Sequence, residues 1–351
     1  MIYTPKVSII TPTYNHQDTI RQCIDSVLKQ TYNNWEMIII DDSSTDNTQN
    51  IIKHYLQKDR RIKAVFHKSN YGPYRLVDTY NEALQLATGE LIAILEGDDW
   101  WSPLKLEKQV KLLKDPKIVL CYGSAAEVTD TGKVITYRKI ILNKVNRNYL
   151  LNRPPGKIIE KLLYLYNPII SCTVIIKKSI LYKIGGFKSY KNLPLVDFPT
   201  YCYLSLEGEF AIIENDVLGF WRRHKNSISF NKDIIIYKND IKFLKEFIKT
   251  NKHRFNKQLV KLINITEEQL DDLYEGLLKN IKNQYYISHA KYYIYFNDWR
   301  LAKNNFKKAL KYSTHPMYKL VALLGYIASI FKIDILEPFI KIRRNIKKYC
   351  Q

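Results

Sequence analysis

The chain has 351 residues, 46% of them hydrophobic, and a formal net charge of +21. That apolar content excludes global disorder, and the length leaves room for one large domain plus a smaller one. The positive excess points first to nucleic acid, but the lysines are spread through stretches rich in Ile, Asn and Tyr. No zinc spacing, RNA-binding motif or recognition helix accompanies them, so nucleic acid is excluded as the primary partner and an anionic membrane surface or acidic acceptor is expected.

Met1 to Lys6 runs directly into the first strand, so no signal peptide is expected. Val7 to Ile10 is a short β-type run, broken by Thr11-Pro12-Thr13-Tyr14-Asn15, where Pro12 is expected to stop ladder pairing. Asp18 to Gln30 then has helical periodicity, with Ile20, Cys23, Ile24, Val27 and Leu28 on one face. Met37 to Ile40 is the second strand, ending in Asp41-Asp42-Ser43-Ser44-Thr45-Asp46. Parallel strands joined by a helix bring their carboxyl ends to one crevice, so Asp41 and Asp42 should face the same cleft as Pro12 to Asn15. Ser43 or Asp46 could instead serve only as a helix cap. Ala64 to Phe66 reads as a strand, Asn70 to Pro73 as a turn, and Tyr74 to Ala87 as a helix stopped near Gly89. Leu91 to Leu95 drives into Glu96-Gly97-Asp98-Asp99-Trp100-Trp101. Clustered carboxylates at the edge of a core repel one another unless a cation holds them together. Hard oxygen ligands suit Mg2+ or Mn2+, ions that commonly carry a diphosphate, whereas the plain alternative is a solvated acidic turn. Helices alternating with short buried strands predict a doubly wound α/β domain with a mostly parallel sheet.

The run from Val7 to Thr48, the Gly97-Asp98-Asp99 loop and Gly185-Gly186-Phe187 resemble glycosyltransferase family 2, nucleotide-sugar-dependent enzymes with the GT-A fold. The resemblance extends from about residue 5 to residue 230. No Walker-type loop and no G-x-G-x-x-G is present, which argues against mononucleotide kinases and dinucleotide enzymes. The resemblance implies that Pro12 and Tyr14 line the base pocket, with Tyr14 giving a flat face and Asp42 accepting a hydrogen bond from a pyrimidine. Asp41 is the second-choice contact. Arg75 falls where similar enzymes place a basic nucleotide contact, the alternative being a surface arginine. Asp98 is implied at the ribose and metal and Asp99 as the direct ligand of Mn2+ or Mg2+. Glu96 stands where the family more often has aspartate, which leaves its ligation open.

The implied reaction is an in-line displacement with inversion, from a nucleotide-sugar donor (UDP-sugar) to a glycan or lipid-linked acceptor, and it needs a base. Asp197 is assigned that role, because Leu195-Val196-Asp197-Phe198 follows the Gly-Gly-Phe turn; Val196 replaces the usual glutamate partner. The alternative is that Asp197 caps a helix starting at Pro199. Gly185-Gly186 is expected to end a Lys178 to Ile184 helix. Arg222, Arg223 and His224 are implied at the diphosphate, and neutral His224 also as the non-carboxylate metal ligand. Two rivals remain: a catalytically inert nucleotide- or carbohydrate-binding relative, and a sugar nucleotidyltransferase. The second should carry a glycine-rich basic loop, and Thr11 to Ile20 has neither glycine nor lysine.

Cys23, Cys121, Cys172, Cys202 and Cys350 are scattered and odd in number, which suits a reducing, cytoplasmic compartment. The sequon Asn264-Ile265-Thr266 then has no meaning. Strands vanish beyond Phe230, so a catalytic domain over 1–230 and a helical region over 231–351 are expected. Ala290, Tyr293, Ala302, Phe306 and Ala309 fall on the small and aromatic positions of one tetratricopeptide-like hairpin around 283–316. Leu320 to Phe331 is apolar but shorter than the roughly 20 residues of a spanning helix. With the basic run Lys341 to Lys348 behind it, it suggests peripheral binding at the inner face of the cell membrane; the alternative is a buried helix with a solvated end.

Overall fold

The computed structural model describes residues 3–162, 167–191, 193–224, 227, 234–255, 286–287, 289–294, 296–313 and 316–333. The chain divides into two compact units, Met1–Asn264 and Ile265–Gln351. The first unit opens with β1 (Val7–Thr13), α1 (Ile20–Leu28), β2 (Trp35–Asp41), α2 (Thr48–Lys58), β3 (Ile62–Phe66), α3 (Leu76–Leu86) and β4 (Leu91–Ile94). It continues through β5 (Trp100–Trp101), α4 (Lys105–Leu112), β6 (Ile118–Val128), β7 (Val134–Arg138), α5 (Arg147–Leu150), α6 (Ile159–Leu162) and β8 (Ile175–Lys177). α7 (Lys178–Lys183), α8 (Asp197–Ser205), β9 (Glu209–Arg222) and α9 (Ile234–Asn251) complete its regular elements among the described residues.

All nine strands join one sheet in the order β3-β2-β1-β4-β8-β6-β9-β5, with β7 added beside β6. β1 to β4 are mutually parallel, and β8 runs antiparallel between β4 and β6. The period-two alternation of the strands sorts their side chains into two layers. Ile10, Ile38, Ile40, Ile92 and Ile94 pack with α3, α7 and α8 through Tyr80, Leu84, Leu181 and Tyr201. Ile9, Met37, Ile39, Leu91 and Leu95 pack on the other side with Cys23, Ile24, Ile52 and Leu106 of α1, α2 and α4. Each fully buried aliphatic side chain contributes about 1.5–3 kcal/mol, so the two layers hold the strand ends in a fixed relation.

One expectation is corrected. Pro12 does not end β1, which pairs with β2 through Thr13. The Pro12 carbonyl accepts the Gly97 N–H at 3.1 Å, so the edge lacking a donor faces the point where β4 has already given way to the acidic loop. The first compact unit includes α9. α9 buries Phe243, Leu244 and Phe247 in the α8 layer, with Phe243 edge-on to Tyr190 and Phe198.

The second unit is helical, with α10 (Trp299–Tyr312) and α11 (Pro316–Phe331). Ile287, Ala290, Ile294, Ala302, Phe306, Ala309 and Ala322 bury one another, and Tyr293 is half-buried beside them. A Cβ at Gly325 would lie 2.3 Å from the Phe306 ring, so the glycine permits the close approach of α11 to α10. No helix among the described residues is long and apolar enough to cross a membrane. Cys23, Cys121, Cys172 and Cys202 are buried free thiols. Cys350, the sequon and the basic run Lys341 to Lys348 lie outside the described residues.

Candidate active site

β1 and β2 end side by side, with Thr13 opposite Asp41. Just beyond, Asn15 and Ser43 both take the left-handed region, at φ 53° and 64°. That conformation costs a residue with a Cβ about 1–2 kcal/mol and is held here by contacts between the two loops. The Asn15 N–H donates to Ser44 Oγ, the Thr45 N–H to Asn15 Oδ1 and the His16 N–H to Thr48 Oγ1, each at 2.8 Å. Tyr14 is left 42% exposed, its ring open to a ligand, whereas Pro12 is buried inside β1.

The two adjacent aspartates do different work. Asp41 is fully buried, and its Oδ2 accepts from the Ser44 N–H at 3.0 Å and Gln49 Nε2 at 2.7 Å, which fixes the turn into α2. Asp42 Oδ1 takes the Tyr71 N–H and His67 Nδ1, both at 2.8 Å, and Oδ2 takes the Gly72 N–H at 3.0 Å. A carboxylate offers about four acceptor positions, so Oδ2 keeps room for one more donor. His67 Nε2 meets Glu82 Oε2 at 2.8 Å. Burial works against the imidazolium, yet the Asp42 and Glu82 carboxylates more than offset it and the His67 pKa is raised. Tyr71 stacks on His67 at 4.1 Å, and the Arg75 guanidinium lies 4.0 Å above Tyr71. Arg75 itself is exposed at the rim and paired with Asp78 at 2.7 Å.

The acidic loop is shaped by Gly97. A Cβ there would come within 2.5 Å of Thr13 Oγ1 and 2.7 Å of His16 Nδ1. With that space open, His16, Asp98 and His224 offer ligand atoms that all lie within 4.8 Å of one another. His224 Nε2 is 3.0 Å from Asp98 Oδ2. Burial would raise the Asp98 pKa, but His224 and His16 hold it below the usual range. Burial lowers the pKa of His16, which favours a neutral imidazole.

Asp99, expected as the direct ligand, has one carboxylate oxygen engaged by the backbone of β9. It is 3% exposed and its Oδ1 accepts the Arg222 N–H at 2.8 Å, which ties the loop to β9. Burial, with Asp98 and Glu96 close by, pushes its pKa well up. Glu96 is not in the ligand cluster. Its Oε1 receives the Tyr80 hydroxyl at 2.5 Å, and burial lifts its pKa to about 7, with the Asp98 and Asp197 charges adding to the rise. The paired tryptophans anchor the exit of the loop: Trp100 stacks on Phe220 at 4.9 Å, and Trp101 Nε1 donates to the Cys172 carbonyl at 2.6 Å.

Arg222, expected at a diphosphate, is engaged by the surrounding backbone and by Gln22. Its Nε donates to the Asp98 carbonyl at 2.8 Å, Nη1 to the Thr129 and Asp130 carbonyls, and Nη2 to Gln22 Oε1 at 2.6 Å. The guanidinium is a brace for the acidic loop. Arg223 is buried and stacked on Trp221 at 4.4 Å. Of residues 222–224, His224 alone joins the ligand cluster.

Gly185 and Gly186 end α7 in the left-handed region, at φ 79° and 82°. A Cβ on Gly186 would sit 2.5 Å from Asn81 Oδ1. Asn81 grips the next residue from both sides: Oδ1 accepts the Phe187 N–H at 2.8 Å and Nδ2 donates to the Phe187 carbonyl at 3.1 Å. Phe187 then packs 5.0 Å from Tyr80. A small void of about 10 Å³, room for a single water, follows, lined by Tyr80, Ile94, Phe187, Asp197, Thr200 and Tyr201 among others. α8 starts at Asp197, two residues before the expected Pro199, so Asp197 lies in the first turn and is not the residue preceding the helix. Val196 is buried, and Asn167 Nδ2 is a long 3.4 Å from Asp197 Oδ2, the position of a partner that the sequence pattern lacked. His16, His67, Tyr80 and Asn167 went unnoticed in the sequence. Only His16 carried a local signal, being next to Tyr14-Asn15 at the end of β1.

This sheet, with its crevice at the ends of β1, β2 and β4, is the GT-A fold of glycosyltransferases. Mannosyltransferase PcManGT from Pyrobaculum calidifontis, solved with GDP-Man and Mn2+, is similar with a TM-score of 0.52, covering 93% of this chain and 81% of that one at 16% identity. The chain belongs to glycosyl transferase family 2, whose model matches residues 8–185. TuaG of Bacillus subtilis (strain 168), whose name assigns it to teichuronic acid biosynthesis, is 32% identical over 234 residues, 66% of this chain and 84% of TuaG. WfaP of Escherichia coli, named a UDP-Glc:alpha-D-GlcNAc-diphosphoundecaprenol beta-1,3-glucosyltransferase, is 33% identical over 226 residues, 64% of this chain and 80% of WfaP.

Proposed function

We propose that this glycosyltransferase moves one sugar, with inversion, from a UDP-sugar to a lipid-linked or polysaccharide acceptor of the cell envelope, in a reaction that needs Mn2+ or Mg2+. The observation that carries the reading is the Asp98–His224 donor pair lying near Asp197, linked to it through Glu96 and Tyr80. The Asp98 carboxylate and the His224 imidazole would hold a divalent ion. When bound, that ion offsets charge on the leaving diphosphate. The free position on Asp42 Oδ2 receives the N–H of the pyrimidine, and the exposed Tyr14 ring supplies a flat face beside it. Asp197 takes the proton of the acceptor hydroxyl as that oxygen attacks the anomeric carbon opposite the diphosphate. The anomeric C–O bond breaks, and its electron pair leaves with UDP. The printed names of WfaP and TuaG support a UDP donor and an envelope acceptor. Proton NMR of the product formed from a UDP-α-sugar tests the stereochemistry: a β-linkage is expected, and an α-linkage would reject Asp197 as the base of an in-line displacement.

Membrane contact is part of the proposal. Leu320, Leu323, Ile327 and Ile330 recur at helical spacing on α11 and are each more than 40% exposed. The basic run Lys341 to Lys348 follows in sequence, and each such residue near an anionic leaflet adds about 1 kcal/mol. The protein should cosediment with vesicles rich in phosphatidylglycerol, and replacing Leu320, Leu323 and Ile327 by Ser should release it. Equal recovery of both proteins in the supernatant would remove the membrane from the account.

A further inference from the structure

We infer that His16 is a metal ligand, the third protein donor of a two-imidazole, one-carboxylate site that takes Mn2+ or Co2+ in preference to Mg2+. The inference rests on the proposal that Asp98 and His224 hold a divalent ion, and it adds both a ligand and a selectivity.

Three independent features bring the ring to that place. The left-handed Asn15 turns the chain, and the His16 N–H is pinned to Thr48 Oγ1 at 2.8 Å. Thr13 Oγ1 lies 2.9 Å from His16 Nδ1 and orients the imidazole, as outer partners do for metal-bound histidines. The absence of a side chain at Gly97 then lets the ring settle over the acidic loop, because a Cβ would stand only 2.7 Å from Nδ1. The result is a set of three ligand atoms no more than 4.8 Å apart, two of them 3.0 Å apart. Around an ion with bonds of about 2.1 Å, neighbouring donors are about 3 Å apart and opposed ones about 4.2 Å, so the 3.0 Å pair matches neighbouring ligands and a small inward movement of the third donor brings all three onto one ion.

The donor set decides the metal. Mg2+ prefers oxygen and retains its waters, whereas imidazole suits later first-row ions, whose affinity rises from Mn2+ to Co2+. A second imidazole therefore moves preference away from Mg2+. It also lets the ion bind before any nucleotide arrives, since three donors already come from the protein.

The test is a titration of the full chain with Mn2+, without nucleotide, following the electron paramagnetic resonance of free Mn2+, together with the visible absorption of bound Co2+. Wild type should bind Mn2+ in the presence of excess Mg2+. His16→Gln should weaken Mn2+ binding about tenfold or more and shift the Co2+ bands, with circular dichroism unchanged. Gly97→Ala should produce the same loss by displacing the ring. If Asp98→Asn and His224→Gln abolish binding while His16→Gln alters neither affinity nor spectrum, His16 is not a ligand and the metal proposal stands. If none of these variants changes ion binding, both fall.

Discussion

Replacing Asp197 by Asn should lower kcat by about 10²–10⁴-fold while leaving the Kd of the nucleotide sugar unchanged, the range that general-base assistance supplies. The amide keeps the shape of the side chain and its contact with Asn167, but it cannot take the proton of an acceptor hydroxyl. A purely structural role for Asp197 predicts something different. It stands in the first turn of α8, where losing a carboxylate costs about 0.3–1 kcal/mol through the helix dipole. That is too little to unfold a domain with two packed layers, so loss of transfer in a variant with an unaltered melting profile identifies chemistry. Retention of wild-type kcat would reject Asp197 as the base. Uniform weakening of donor affinity would assign it to binding instead.

Lys105→Met should stabilise the protein, and most strongly below neutral pH. Lys105 is fully buried, and among the described residues its Nζ has no hydrogen-bond partner; the face of Trp101 lies 4.1 Å away. Cys121 and Cys172 are its close titratable neighbours, but burial pushes both thiols up, so neither serves as a counter-ion at neutral pH. Burial brings the Lys105 pKa down to about 7. An unfolded lysine titrates near 10.4, so between about 7 and 10.4 the unfolded chain binds more protons and stability rises with pH. Below about 7 both states are protonated and the penalty is fully present, on the order of 4–5 kcal/mol. Methionine fills similar volume without the charge. Comparing thermal unfolding at pH 6.5 and 9.5, the variant should melt several degrees above wild type at the lower pH, with the gap closing at the higher. A variant less stable at both pH values would mean that the ammonium has a compensating partner.

The parts of this site that were legible in the sequence are those in which local spacing dictates local geometry. The β1–α1–β2 unit announces itself by a change from period two to helical period, and Gly185-Gly186 by a helix that must end left-handed. The family resemblance of the Gly97-Asp98-Asp99 loop places that loop correctly at the end of β4. What it cannot settle is which of two adjacent carboxylates faces the ion, because consecutive residues at a strand end point to opposite sides. The Arg222 N–H from distant β9, which engages Asp99 Oδ1, is a non-local contact of the kind that bears on that choice. The contacts of Arg222 are hidden from the sequence for the same reason. A sequence shows a cation near a site, but not that Thr129, Asp130, Gln22 and the Asp98 carbonyl already occupy it. His16 escaped notice because its position depends on a missing Cβ in a loop far along the chain. The antiparallel insertion of β8 between β4 and β6 is likewise non-local and leaves no periodic trace.

The central claim is that one divalent ion, gripped by Asp98 and His224, joins the nucleotide to this crevice. Calorimetric titration of UDP into the full chain, with Mn2+ and then with EDTA, tests it most directly. Heat of binding should appear with Mn2+, vanish with EDTA and be absent from Asp98→Ala under both conditions. UDP binding of equal strength in EDTA, or undiminished in Asp98→Ala, would contradict it.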